Sequence, residues 1–134
     1  MTVGAAIVVW RRTEIGLEFL VLHRSHFGPE FAGDWAWGHP GGACGQDETT
    51  EQCARRELRE ETGIDAECLP TDCAPGDSEH FVTFQCEVPA DAEVVLSWEH
   101  DGYRWLPLAE ARELCRPPLV GDQIACVAAL LDEQ

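Results

Sequence analysis

The stretch GACGQDETTEQCARRELREETGI, residues 42–64, decides the fold. Thr49 and Gln52 form a capping-box pattern at its centre, and Ala54 and Leu58 recur at helical spacing after it. Gly63 supplies the residue that closes a helix in the left-handed conformation. A helix over Thr49 to Thr62 is therefore predicted. Each residue advances roughly 100°, so Glu61, Glu57 and Glu60 stand about 60°, 100° and 160° round from Leu58, on one side. Carboxylates three and four residues apart repel by roughly 0.2 to 0.5 kcal/mol per pair. Either nearby arginines neutralise the stripe, and Arg55, Arg56 and Arg59 are on the same helix, or a divalent cation does. Clustered oxygen ligands suit Mg²⁺ or Mn²⁺, which also accept phosphate oxygens.

The wider pattern bears on this choice through a resemblance, which favours the cation. Gly42 is followed after five residues by Glu48 and after seven more by Arg56, then by Glu57, Leu58, Glu60, Glu61, Gly63 and Ile64. This pattern resembles the Nudix box in full, and Trp37, Pro40, Gly41 and Gly42 are similar to the strand and turn that precede it. The resemblance implies an α/β/α sandwich around a mixed β-sheet, an α+β fold, spanning residues 1–134 as one domain with the box at 42–64. It also implies hydrolysis of a nucleoside diphosphate linked to another group. By the same resemblance Glu57, Glu60 and Glu61 bind the metal, the Gly42 carbonyl is a further ligand, and Arg56 orients them. Glu48 is read as a loop-bonding residue. The family usually has Pro-Gly before the first Glu of the box, where this chain has Gln46 and Asp47. Gly45 then supplies the turn, and Asp47 either helps cap the helix or adds charge near the metal.

A second segment, Trp98 to Leu106 (WEHDGYRWL), resembles one in the dinucleoside polyphosphate hydrolases of that family. There Glu99 is implied as a metal ligand or base, and Tyr103 as a contact for a nucleobase. General base and ligand are not separable between Glu61 and Glu99 from sequence. Arg24 resembles a substrate-reaching position, whereas His23, His26, Trp35, His39 and His80 are left unranked. Diadenosine tetraphosphate is the leading substrate. A nucleoside triphosphate pyrophosphatase that clears oxidised nucleotides is the runner-up, and a non-catalytic nucleotide-binding module is third.

The remaining sequence agrees with this frame. Gly4 to Arg12 and Leu17 to Arg24 read as a hairpin, Leu69 to Ser78 as a loop and His80 to Val88 as a strand. Tyr103 to Leu106 reads as a short strand, and Pro107 to Arg116 and Asp122 to Leu131 as helices, giving the order βββαβββαα. All nine basic residues are Arg and the net charge is -16, a surface that repels nucleic acid polymers. Seven Cys, an odd number without a CxxC pair, argue against a disulfide framework and a structural zinc. No apolar run is long enough to span a bilayer, and no leader pattern is read, so the expected compartment is the reducing cytoplasm.

Overall fold

The computed structural model describes residues 3–73 and 81–132. His80 and residues 74–78 of the expected loop lie outside the described residues. The chain runs β1 (Gly4–Thr13), β2 (Gly16–Arg24), β3 (Trp37–Gly38), β4 (Gly41–Ala43), α1 (Thr50–Thr62), β5 (Leu69–Pro70), β6 (Phe81–Glu87), β7 (His100–Leu106), α2 (Leu108–Leu114) and α3 (Pro118–Asp132).

β1 and β2 form the expected hairpin, with Trp10 opposite Phe19 and Thr13 opposite Gly16. β1 also pairs in parallel with β6, and antiparallel with β4 through Ala5 and Gly42. β2 carries β3 and β7, with a register shift at His23 and Arg24. The sheet is thus mixed, and strand alternation divides its apolar residues between two faces. Ala5, Ile7, Val9, Leu20 and Leu22 pack with Cys53, Ala54 and Leu58 of α1. Val8, Trp10, Phe19 and Val21 pack with Ala111 of α2 and Ile124, Val127 and Leu131 of α3. This is the predicted α/β/α sandwich.

Several boundaries differ from expectation. Two short strands replace the single one expected before α1, and Leu69–Pro70 pairs with β6 inside the expected loop. β7 begins at His100 because residues His100 to Gly102 continue the pairing with β2 across the bulge. α3 starts four residues early, its first turn opening on Pro118, whose missing amide would be unbonded there in any case.

The cysteine expectation is overturned. Cys44 is bonded to Cys53, with Cα atoms 5.2 Å apart, and Cys73 to Cys126, 5.9 Å apart. An odd total misled because Cys68, Cys86 and Cys115 are free and buried, acting as small apolar core residues, which leaves an even number for pairing.

Candidate active site

α1 forms as the sequence dictates. The Thr49 side chain accepts from the Gln52 amide, and the Gln52 side chain accepts from the Thr49 amide. At the other end Gly63, with φ 75°, donates its amide to the Arg59 carbonyl. Thr49 being the cap, Asp47 does not cap the helix. Glu48 closes the preceding loop by accepting from the Gly45 amide at 2.9 Å, which is the turn the chain makes without Pro-Gly.

Arg56 links that loop to the carboxylate stripe. Its Nε and Nη2 donate to the two oxygens of Glu48 at 2.6 and 2.9 Å, and Nη2 also donates to the Ala43 carbonyl. Its Nη1 donates to Glu57 at 3.0 Å and to Glu60 at 3.1 Å. The guanidinium holds the Glu48 carboxyl down at about 2. One arginine therefore orients two of the three stripe carboxylates through a shared nitrogen.

Glu61 has no such counter-ion among the described residues. It is 5 % exposed, and its Oε2 accepts a 2.8 Å hydrogen bond from the Gly41 amide. Burial pushes its carboxyl up to about 8; the Gly41 amide opposes this, and the charges of Glu57, Glu99 and Glu60 add to it. Burial also raises Glu57, with Arg56 opposing. A Cβ on Gly42 would sit 2.7 Å from Cδ of Glu57, so a larger residue there would displace that carboxylate. A Cβ on Gly41 would run into the Ala5 carbonyl. Hard oxygen donors, surplus negative charge and a carboxyl raised by burial and, to a lesser extent, by its acidic neighbours are together the chemistry that suits a divalent cation.

A cleft of about 430 Å³ opens beside Glu61, lined also by Arg24, Ser25, His26, His39, Gly41, Trp98, Glu99 and His100. The loop carrying Glu99 is held to the end of β2, since the Ser25 amide donates to the Glu99 carbonyl and the Ser25 hydroxyl to the Trp98 carbonyl. His100 Nδ1 is 3.9 Å from Glu61 Oε1 and makes no hydrogen bond. Burial and the Arg24 charge lower His100, while Asp101 opposes them. Burial lowers His39 to about 4, partly offset by its bond to Gln123. A second cavity, about 320 Å³, adjoins through Arg24, His39 and Gly41 and is lined by Trp35, Gly42 and Gln123.

The structure thus gathers Arg24, Glu61 and Glu99 at one cleft, and Gly42, Arg56, Glu57 and Glu60 on the loop and helix beside it. Tyr103, opposite Leu22 on β7 and 44 % exposed, is outside the lining of both cavities. Trp98 and His100 carry no role predicted from sequence, yet both line the cleft. Trp98 is 87 % exposed at the cleft, and a large ring beside an acidic loop residue was the available signal. Of the unranked residues, His26 and His39 line the cleft. His23 is instead buried in structure, bonded to Asp101 and to the Phe31 carbonyl at 2.6 Å each.

Residues 1–126 match the NUDIX domain family. The chain is 33 % identical over 129 residues to the asymmetrical bis(5'-nucleosyl)-tetraphosphatase of Sus scrofa, covering 84 % of each protein. A Caenorhabditis elegans Ap4A hydrolase, solved as a binary complex, superposes with TM-score 0.79 at 24 % identity over 100 % of both chains. The Escherichia coli dihydroneopterin triphosphate pyrophosphohydrolase does so with TM-score 0.73 at 23 % identity over 92 % of both. No helix among the described residues is long and apolar enough to cross a membrane.

Proposed function

The chain belongs to the NUDIX domain family and is a hydrolase of phosphoanhydride bonds, and from that premise we propose that it cleaves a dinucleoside polyphosphate such as diadenosine tetraphosphate. In this reading Glu57, Glu60, Glu61 and the Gly42 carbonyl hold Mg²⁺ or Mn²⁺. The observation that carries it is the cleft where Glu99, on the segment resembling that subgroup, faces Glu61 beside Arg24. The 33 % identity to a bis(5'-nucleosyl)-tetraphosphatase supports the same substrate class.

A polyanionic substrate meets a chain of net charge -16, so its phosphates need local positive charge. When bound, the divalent cation supplies that charge and acidifies the attacking water. Arg24 neutralises a phosphate oxygen at the cleft mouth. Arg56 keeps Glu57 and Glu60 oriented rather than touching substrate. The attacking water gives its proton to Glu99 or Glu61 as its oxygen bonds to phosphorus and the anhydride P–O bond breaks. Trp98 offers a ring face for one base at the cleft, and Tyr103 a second for the far end of a long substrate. The compartment in this reading is the reducing cytoplasm, in which thiols are favoured over the two cysteine pairs.

Chromatographic product analysis tests the proposal. ATP plus AMP from diadenosine tetraphosphate is the expected result. Nucleoside monophosphate plus pyrophosphate from a triphosphate, with the dinucleotide left intact, would overturn it in favour of nucleotide-pool clearance.

A further inference from the structure

Cys44 and Cys53 bracket the loop of the Nudix box. Cys44 follows Gly42 by two residues, and Cys53 precedes Glu57 by one helical turn. Their bond joins the two elements whose spacing sets the distance between the Gly42 carbonyl and the Glu57 carboxylate. Cys53 is fully buried, Cys44 is partly exposed, and Cys53 Sγ is 3.8 Å from the Gly42 carbonyl oxygen. Glu48 has an oxygen within 4.8 Å of both sulfurs, but its oxygens are occupied by Arg56 and the Gly45 amide. The trio is therefore a pair of sulfurs with a committed neighbour, not a soft-metal site.

We propose that Cys44 and Cys53 form a thiol–disulfide switch that sets how tightly the Nudix box holds its cation. The inference rests on the metal site of the proposed function and adds its regulation. Cys53 Sγ is 3.8 Å from the Gly42 carbonyl oxygen with the disulfide closed, so opening the bond puts a weak S–H donor beside the oxygen offered to the cation. Two unbonded sulfurs also need more room than a disulfide, which pushes residues 43–45 away from α1. That displacement passes through the Ala43 carbonyl and Glu48 to Arg56, and through Arg56 to Glu57 and Glu60. Oxidation removes the donor and fastens the loop, so the disulfide form is the high-affinity form.

The chemistry balances with a peroxide as oxidant. The accessible Cys44 sulfur attacks a peroxide oxygen, the O–O bond breaks, and a sulfenic acid forms with loss of water or alcohol. Cys53 sulfur then attacks Cys44 sulfur, the S–O bond breaks, and water leaves as the S–S bond forms. Two thiols have lost two electrons and two protons to the peroxide. A dithiol reverses the step through a mixed disulfide.

The test titrates Mn²⁺ by electron paramagnetic resonance into the whole chain, oxidised with hydrogen peroxide or reduced with a phosphine and desalted anaerobically. Peptide mass mapping records which bond is closed. The oxidised protein is expected to half-saturate at roughly tenfold lower Mn²⁺ than the reduced one, as when a ligand's supporting contact is altered. Cys44→Ser should bind like the reduced protein under both conditions, and Cys126→Ser should keep the wild-type response. Equal affinities in the mapped open and closed states, or an unchanged response in Cys44→Ser, would overturn the switch. Absence of Mn²⁺ binding in both states would instead overturn the metal site itself, and the switch with it.

Discussion

The main-chain amide of Gly41 donates a 2.8 Å hydrogen bond to the side chain of Glu61, joining β4, where the Nudix box begins, to the last turn of its helix. This bond supports a carboxyl that burial makes reluctant to ionise. Glu61→Gln keeps the acceptor oxygen and the helix propensity while deleting the charge. It should lower kcat by roughly 10²-fold or more, the scale of a lost metal ligand or general base, with the far-ultraviolet circular dichroism unchanged. Wild-type kcat in the folded variant would remove Glu61 from the chemistry.

The same carboxyl makes the metal-free protein pH-sensitive. Its folded value of about 8 exceeds the ordinary 4.5, so its contribution to stability is present at low pH and lost as pH rises toward 8. His39 works oppositely below its ordinary 6.5, because the folded state disfavours its protonation. The clean window is therefore about pH 6.5 to 8.5. In EDTA, Tm should fall across that window for the wild type and stay level for Glu61→Gln. A flat wild-type profile would contradict the burial argument.

Gly42→Ala should place a methyl 2.7 Å from Glu57 Cδ and force that side chain off Arg56. The expected loss is at least roughly tenfold in metal affinity, as for other perturbed ligand supports, measured by the Mn²⁺ dependence of rate. Gly41→Ala meets the Ala5 backbone instead, and should lower Tm more than Gly42→Ala does.

Helix α1 and its carboxylates were legible because capping, periodicity and spacing are local. The capping box of Thr49 and Gln52 and the stop at Gly63 both formed as read. What was not legible depends on distant pairing. Glu99 and His100 reach Glu61 only because β7 pairs with β2, and Ser25 fastens the intervening loop. The Cys73–Cys126 bond depends on the same kind of distant pairing, its residues 53 apart and meeting only once α3 packs on the sheet, whereas Cys44 and Cys53 are nine apart and were hidden by the odd cysteine total. Arg56 is legible as a helix residue that orients the carboxylates, but its grip on Glu48 and Ala43 needed the loop in place.

The two rings should separate kinetically. Trp98→Ala is expected to raise KM for diadenosine tetraphosphate with little change in kcat, since base stacking is worth roughly 1 to 3 kcal/mol in ground and transition states alike. Tyr103→Ala should raise KM less, its ring being outside the cleft lining. Glu99→Gln should lower kcat by roughly 10²-fold with little change in KM. Unchanged kinetics in all three variants would remove the dinucleotide assignment while leaving the box intact.

A divalent cation held by the stripe of α1 is measured most directly by Mn²⁺ binding in electron paramagnetic resonance, without substrate. The wild type should bind, and Glu57→Gln combined with Glu61→Gln should abolish binding while the helix signal in circular dichroism persists. Undiminished binding by that folded double variant would contradict a cation site on this stripe.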